Sequence, residues 1–114
     1  MAATTGDLAK TLLDMTLAGK LEWRQDLYGF EFETKVDDIK VYFFVATQRE
    51  RRLFAKDLIK EAYQVRTTAG SWESLPDLEL GRDLHKAITG NIRNQKEAFH
   101  ESIRNQVIKK LKNL

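Results

Sequence analysis

The chain has 114 residues, of which 42% are hydrophobic, and a formal net charge of +2. This length suits one domain, and its core can fold without help from a metal or a disulfide. There is no cysteine, which excludes disulfide frameworks, thiolate zinc sites and cysteine nucleophiles and fits a reducing cytoplasm, the localisation we expect. The longest apolar run is residues 41–46, and residues 1–7 lack the charged and apolar regions of an export signal. We therefore expect neither export nor a membrane span.

The first predicted element is a helix capped by Thr5 or Asp7, because both residue types are favoured at a helix N-terminus. Residues 1–5 are predicted to form a flexible N-terminus. The apolar face of the helix recurs at helical spacing on Leu8, Leu12 and Met15. Gly19 then provides a left-handed stop. The following Trp23 is predicted to be structural and to clamp the end of this helix to a sheet.

Beyond Leu21 the hydrophobic period changes to two, which predicts strands. Phe30, Phe32 and Thr34 alternate with charged residues, as in a half-buried strand. Asp37 and Asp38 form a tight turn, and the next strand carries apolar residues on both faces. One face consists of Ile39, Val41, Phe43 and Val45, and the other holds Tyr42 and Phe44. If the helices cover only one face of the sheet, Tyr42 and Phe44 are predicted to form an interface.

Residues 47–67 permit two interpretations. Thr47 with Glu50 resembles a capping box, and the apolar residues that follow have helical spacing, which predicts one helix through this segment. Alternatively, the helix ends near Lys60 and residues 62–67 form a strand that turns at residues 68–70 into another strand, residues 71–75. We favour the second interpretation, because β-branched and aromatic residues crowd around a turn that contains glycine.

The C-terminal part is predicted to form two helices. Ser74 and Pro76 open the first of them, and Gly90 closes it. Residues 91–114 form the second, whose apolar stripe consists of Ile92, Phe99, Ile103, Val107, Leu111 and Leu114. This terminal helix carries six basic and two acidic side chains, a net charge of +4, against −2 for the rest of the chain. It is either docked on its own chain with a solvated polar face or a terminal element that meets an acidic partner.

Several positions together resemble a loosely defined set of small, uncharacterised bacterial α+β domains. The residues that carry the resemblance are Leu12, Leu13, Thr16, Gly19, Lys20, Leu21 and Trp23, with Tyr63, Val65, Gly70, Trp72, Leu75, Leu84 and Ile88 further along. The resemblance implies a helix, a Gly-Lys-Leu-x-Trp entry to a strand meander, and C-terminal helices, and it implies no activity. Residues 49–60 depart from the pattern and look like an insertion or an added helix.

Candidate catalytic and metal-binding groups are few. Glu97 and His100 are spaced to offer two metal ligands, but nothing nominates the others, so a solvated ion pair is the better interpretation. Asp37 and Asp38 are better explained by the turn than by catalysis. The chain contains no glycine-rich phosphate loop. We therefore expect no enzyme activity, no metal, no cofactor and no small-molecule substrate.

The basic segment from residue 49 to residue 60 offers an alternative function. Guanidinium and ammonium groups beside the aromatic Phe54 suit phosphate contact combined with base stacking. The candidate nucleic-acid residues are Arg49, Arg51, Arg52 and Lys56, with Lys109 and Lys110 at the C-terminus. Interleaved acidic residues are also typical of a solvated, salt-bridged face.

The sequence thus predicts one α+β domain over residues 1–114, with an N-terminal helix, an antiparallel sheet of about four strands, and two or three further helices. We expect a non-enzymatic interaction or assembly module whose partner is a protein, with self-association through the terminal helix. The predicted interface residues are Phe99, Ile103, Val107 and Leu111. The alternative is a nucleic-acid-binding accessory protein.

Overall fold

The computed structural model describes residues 3–27 and 29–114 and has an α+β fold, as predicted. Its elements in chain order are α1 (Thr5–Leu17), β1 (Trp23–Gln25), β2 (Glu31–Val36), β3 (Ile39–Glu50), β4 (Leu58–Thr67), β5 (Glu73–Ser74) and α2 (Leu78–Lys112). The strands form one antiparallel meander in the order β1-β2-β3-β4-β5. The sheet has five strands rather than about four, and the described residues form two helices where three or four were predicted.

Helix α1 begins one residue earlier than the sequence indicated. Its N-cap is Thr4, not Thr5 or Asp7: the Thr4 hydroxyl accepts from the backbone N–H of Asp7 at 3.1 Å, and the Asp7 carboxylate accepts from the N–H of Thr4 at 2.9 Å. These hydrogen bonds lower the pKa of Asp7. Thr5 begins the helix and residues 1 and 2 lie outside the described part, so the predicted flexibility of residues 1–5 stays a prediction. Gly19 has a φ of +73° and stops the helix as predicted.

Both helices pack on the same face of the sheet, and the core lies between them and the strands. The strands contribute the alternate residues that the period of two predicts: Trp23, Phe32, Thr34, Val41, Phe43, Val45, Tyr63 and Val65. Trp23 is 1% exposed, and its indole N–H donates to the Thr16 hydroxyl of α1 at 2.9 Å. Its predicted role as the link between the first helix and the sheet is confirmed.

The predicted helix from Thr47 is wrong. Strands β3 and β4 pair without interruption from Val41–Thr67 to the pair formed by residues 50 and 58, so residues 47–50 extend the sheet as a long hairpin. A helix that contained Phe54 and Leu58 would have no surface to pack on, because Tyr63 and Val65 already occupy the core face of the sheet. A backbone ladder that is already started adds hydrogen bonds residue by residue, whereas a short helix without a packing partner is marginal. The predicted strand over residues 62–67 is confirmed as part of β4.

Helix α2 is one continuous helix of 35 residues. Its N-cap is Asp77, whose carboxylate accepts from the N–H groups of Glu79 and Leu80, so Ser74 and Pro76 lie before the helix. The predicted stop at Gly90 is wrong, because the backbone bonds continue through it. Next to the glycine, the Asn91 side chain bonds the backbone of β1: its Nδ2 donates to the Leu21 carbonyl at 2.9 Å, and its Oδ1 accepts from the Trp23 N–H at 3.1 Å.

The course of α2 places half of the helix beyond the sheet. It contacts β4 near Gly81 and β1 near Asn91, about 15 Å further along, and so it crosses the sheet. One turn later, Gln95 Nε2 donates to the Trp23 carbonyl at 3.3 Å. Every residue from 96 onward is exposed. We call residues 96–112 the distal α2 segment. No helix in the described part of the chain is both long enough and apolar enough to cross a bilayer.

Candidate interaction surfaces

The distal α2 segment carries the apolar stripe predicted from the sequence. The exposed fractions are 63% for Phe99, 42% for Ile103, 49% for Val107 and 60% for Leu111. These residues recur every four positions on a helix that leaves the body of the protein. The interpretation of a terminal helix docked on its own chain is therefore wrong for this segment, and the stripe is available to a partner.

The stripe slants around the helix. Four residues turn an α-helix by about 400°, so each step displaces the stripe by about 40°. Leu84 and Ile88, which are buried on the proximal part of the helix, share this spacing of four. Residues spaced by four form the ridges that pack into grooves at a crossing angle of about −50°, unlike the seven-residue repeat of a coiled coil.

Two charged rows accompany the stripe. The adjacent row along one side holds Lys96, Arg104 and Lys112 with His100 and the exposed Ile108, and the row on the opposite side of the helix holds Glu97, Glu101 and Lys109. One edge of the apolar stripe therefore carries cations. Glu97 and His100 lie in different rows, and the described residues contain no group of three or more His, Cys, Asp or Glu side chains that could hold a metal ion.

A second surface is the face of the sheet opposite the helices, which we call the open face. The guanidinium of Arg66 lies 4.3 Å from the ring centroid of Tyr42 and 5.1 Å from that of Trp72. The Phe44 and Trp72 rings are 5.8 Å apart. The helices α1 and α2 both lie on the other face, so they cover only one face of the sheet, which is the condition under which Tyr42 and Phe44 were predicted to form an interface. With Trp72, these rings form an aromatic surface around the Arg66 cation.

Strand register places charged groups of both signs on the open face, because Arg24, Lys35 and Lys40 share the face of Glu33. Glu33 is the cross-strand partner of Tyr42, and Glu31 is that of Phe44, so both carboxylates lie on the same face as the rings. The Glu33 carboxylate forms an ion pair with the Lys40 ammonium, with 3.4 Å between Oε1 and Nζ. On the other side of Tyr42, the cross-strand partner is Arg66, whose Nε is buried and has no hydrogen-bond partner among the described residues.

The third surface is the tip of the β3–β4 hairpin, residues 51–57. Leu53 is 88% exposed and Phe54 is 96% exposed, with Arg51, Arg52 and Lys56 exposed around them. Arg49 pairs with Asp57 at 3.8 Å across the hairpin. The structure thus brings four of the predicted nucleic-acid residues to one arm, while Lys109 and Lys110 lie on a different element, the distal α2 segment.

No family model, curated protein or solved structure matches this chain. The resemblance to small bacterial domains through Gly19, Lys20 and Trp23 therefore stays a prediction, and the function must be argued from the geometry of this chain.

The titratable groups with shifted pKa values near the sheet belong to the core. His85 packs against the rings of Phe32 at 5.6 Å and Tyr63 at 6.3 Å, and burial lowers its pKa. Burial, assisted by a hydrogen bond to Glu61, raises the pKa of Tyr63 to about 12. A groove of about 650 Å³ between β1, β2 and Lys20 is lined by neither His85 nor Tyr63.

Asp37, at φ 53°, occupies the predicted turn.

The open face is the surface that sequence reasoning identified least completely. Its signal was present, because Gln64 and Arg66 alternate with the core residues Tyr63 and Val65. The contact of Arg66 with Trp72 depends on β5 lying beside β4, as the hairpin predicted over residues 62–75 places it.

Proposed function

We propose that this chain is a non-enzymatic assembly module that self-associates through the distal α2 segment. The observation that carries the proposal is the exposed apolar stripe of Phe99, Ile103, Val107 and Leu111 on a helix that has left its own core. Soluble proteins cover contiguous apolar surface of this kind when they meet a partner.

The energetics favour a partner for this helix. An isolated helix of this length is marginal in water, and most helical stability comes from packing an apolar face. Fully burying a Val, Leu, Ile or Phe side chain contributes about 1.5–3 kcal/mol. Four half-exposed side chains therefore offer several kcal/mol per helix, which can be gained only against another surface.

A non-catalytic role is supported by the placement of the reactive groups. A catalytic acid or base needs access to substrate in a cleft. The side chains of His85, on α2, and Tyr63, on β4, instead face the aromatic core between the helix and the sheet. Their shifted pKa values follow from burial there.

The test is the dependence of solution mass on concentration, measured by light scattering or sedimentation. We expect the native chain to form an oligomer, and the Phe99→Asp/Ile103→Asp variant to be monomeric with its far-ultraviolet circular dichroism largely retained. The matched control is Asn105→Asp/Asn113→Asp, which makes the same change of charge in the row opposite the stripe and should leave the oligomer intact. A native chain that stays monomeric at millimolar concentration would contradict the proposal.

A second candidate function, contact with nucleic acid, is favoured by the hairpin arm. A projecting two-stranded ribbon fits a DNA groove, and cations beside an exposed Leu53 and Phe54 combine phosphate contacts with an apolar wedge. Changing Arg49, Arg51 and Arg52 to Gln should reduce the slope of log affinity against log salt by about 2–3 units if each contacts a phosphate. Failure of the native protein to bind any duplex or single strand at low salt would exclude this function.

A further inference from the structure

We infer that the distal α2 segment of one copy docks on the open face of the sheet of a second copy, and that the two copies exchange these contacts reciprocally. This inference rests on the proposed self-association and names the surface that receives the helix. The resulting dimer has two equivalent contact sites, each built from one helix and one sheet.

Two of the apolar surfaces in the described part of the chain have complementary shapes. One is a ridge, the stripe from Phe99 to Leu111. The other is the flat aromatic surface of Tyr42, Phe44 and Trp72 on the open face. A sheet with apolar residues on both faces is normally covered on both, and a helix is the element that covers it in α/β layers.

The helix cannot reach the open face of its own chain. Helix α2 packs on the opposite face, bonds β1 through Asn91 and Gln95, and continues beyond that edge of the sheet. A second copy related by a two-fold axis that lies in the sheet plane, parallel to β1, is turned over. Its open face then lies on the side from which the distal α2 segment emerges, and the same rotation places its own helix on the first copy.

The dimensions match. The 17 residues of the distal α2 segment span about 25 Å at 1.5 Å per residue. The outer strands of a five-stranded sheet are about 19 Å apart at a spacing of 4.8 Å. The segment is therefore long enough to bridge the gap between two copies and still lie across the strands that carry Glu31, Phe44 and Arg66.

The area favours this arrangement over a simple pair of helices. A segment about 25 Å long and about 10 Å wide offers about 250 Å² on one side, so one helix pair buries about 500 Å² in total. That is below the roughly 1,000 Å² expected of a specific interface. Two reciprocal helix-on-sheet contacts involve four such surfaces and reach about 1,000 Å².

The absence of cysteine from the chain allows a direct test by cross-linking. One variant carries Val107→Cys in the stripe, and another, distinguished by a mass tag, carries Tyr42→Cys on the open face. The two are mixed and treated with a short bifunctional maleimide. We expect a cross-link between the two variants and none within either variant alone. The matched control is Lys86→Cys, an exposed position on the part of α2 that covers the core, which should not cross-link to Val107→Cys.

The outcomes separate this inference from the proposed function. If Val107→Cys cross-links to itself and not to Tyr42→Cys, the helix pairs with another helix, which overturns the inference and leaves self-association standing. An oligomer in which neither pair cross-links overturns it as well. A native chain that is monomeric throughout overturns both.

Variant mixing gives a second readout that needs no reagent. Ile103→Asp/Val107→Asp removes the helix contact, and Tyr42→Lys/Phe44→Lys removes the sheet contact. We expect each variant alone to be monomeric at every concentration and an equimolar mixture to form a dimer only at higher concentration than the native chain, because one of the two contact sites is intact in the mixed pair. Persistence of the dimer in the sheet variant alone would contradict the docking surface.

Discussion

The closeness of α2 to the sheet makes a strong prediction about two glycines of the same helix. A Cβ atom placed on Gly81 would lie 2.3 Å from Cδ2 and 2.6 Å from Cγ of the Tyr63 ring. A Cβ placed on Gly90 would meet nothing within 4 Å. Gly81→Ala and Gly90→Ala are therefore the same chemical change at a crowded position and at an open one.

The magnitude follows from the surroundings of Tyr63. Carbon atoms pack at about 3.5–4.0 Å, so the ring or the helix must move by more than about 1 Å to admit the new methyl group. The ring cannot move freely, because it is 1% exposed and stacks on Phe43 with 5.8 Å between the ring centroids. Overpacking of this kind costs about 1–3 kcal/mol, against a gain of about 1 kcal/mol from the better helix propensity of alanine.

We expect Gly81→Ala to lower the free energy of unfolding by about 1 kcal/mol, the overpacking cost less the propensity gain, and Gly90→Ala to raise it by about 1 kcal/mol. The corresponding melting temperatures should differ by about 10 °C or more. The assay is urea and thermal unfolding followed by circular dichroism, at one low protein concentration so that association does not shift the midpoints. Equal stability of the two variants would refute the close packing of α2 on Tyr63.

Two further predictions concern the core. Trp23→Ala should lower the free energy of unfolding by about 3–5 kcal/mol, because it removes a buried ring and the hydrogen bond to Thr16, and an unchanged melting temperature would place Trp23 outside the core. Burial lowers the pKa of His85 below its ordinary value of 6.5, against the opposing attraction of Glu61, so the unfolded chain binds the proton more readily. Stability should therefore be highest above pH 6.5 and fall between that pH and the lower pKa of the folded state. In His85→Phe this decrease should be smaller, and an identical pH profile of unfolding in both proteins would contradict the assignment.

The strands and their core residues could be predicted from the sequence because their signal is local. The alternation in residues 39–46 and 63–67 reports directly which side chains face the core, and Tyr63 and Val65 are buried as the pattern indicates. The turn at Asp37 and the stop at Gly19 were likewise predictable, since both depend on backbone conformations that few residues adopt.

The errors at Thr47 and Gly90 have a common origin in tertiary context. The spacing of Phe54 and Leu58 fits a helix, but which surface a helix would pack on is not a property of those residues. Gly90 is a frequent helix stop, yet the bonds of Asn91 and Gln95 to β1 hold the next turn in helical register. For the interaction surfaces, the stripe from Phe99 to Leu111 was predictable as a pattern, whereas its exposure depends on where α2 leaves the sheet.

The hydrogen bonds from α2 to β1 also protect one edge of the sheet against pairing with a strand of another copy. An edge strand with free N–H and C=O groups is a template for strand addition, which leads to open-ended aggregates. In β1 the N–H of Trp23 donates to the Asn91 side chain, and its C=O accepts from the Gln95 side chain. These two groups are therefore not free to pair with a further strand. The opposite edge, β5, is only two residues long. Addition of a strand from another chain is thereby hindered at Trp23 of β1, and β5 is too short to be a good template. Copies of this chain are therefore expected to associate through side-chain surfaces, which can form a closed assembly.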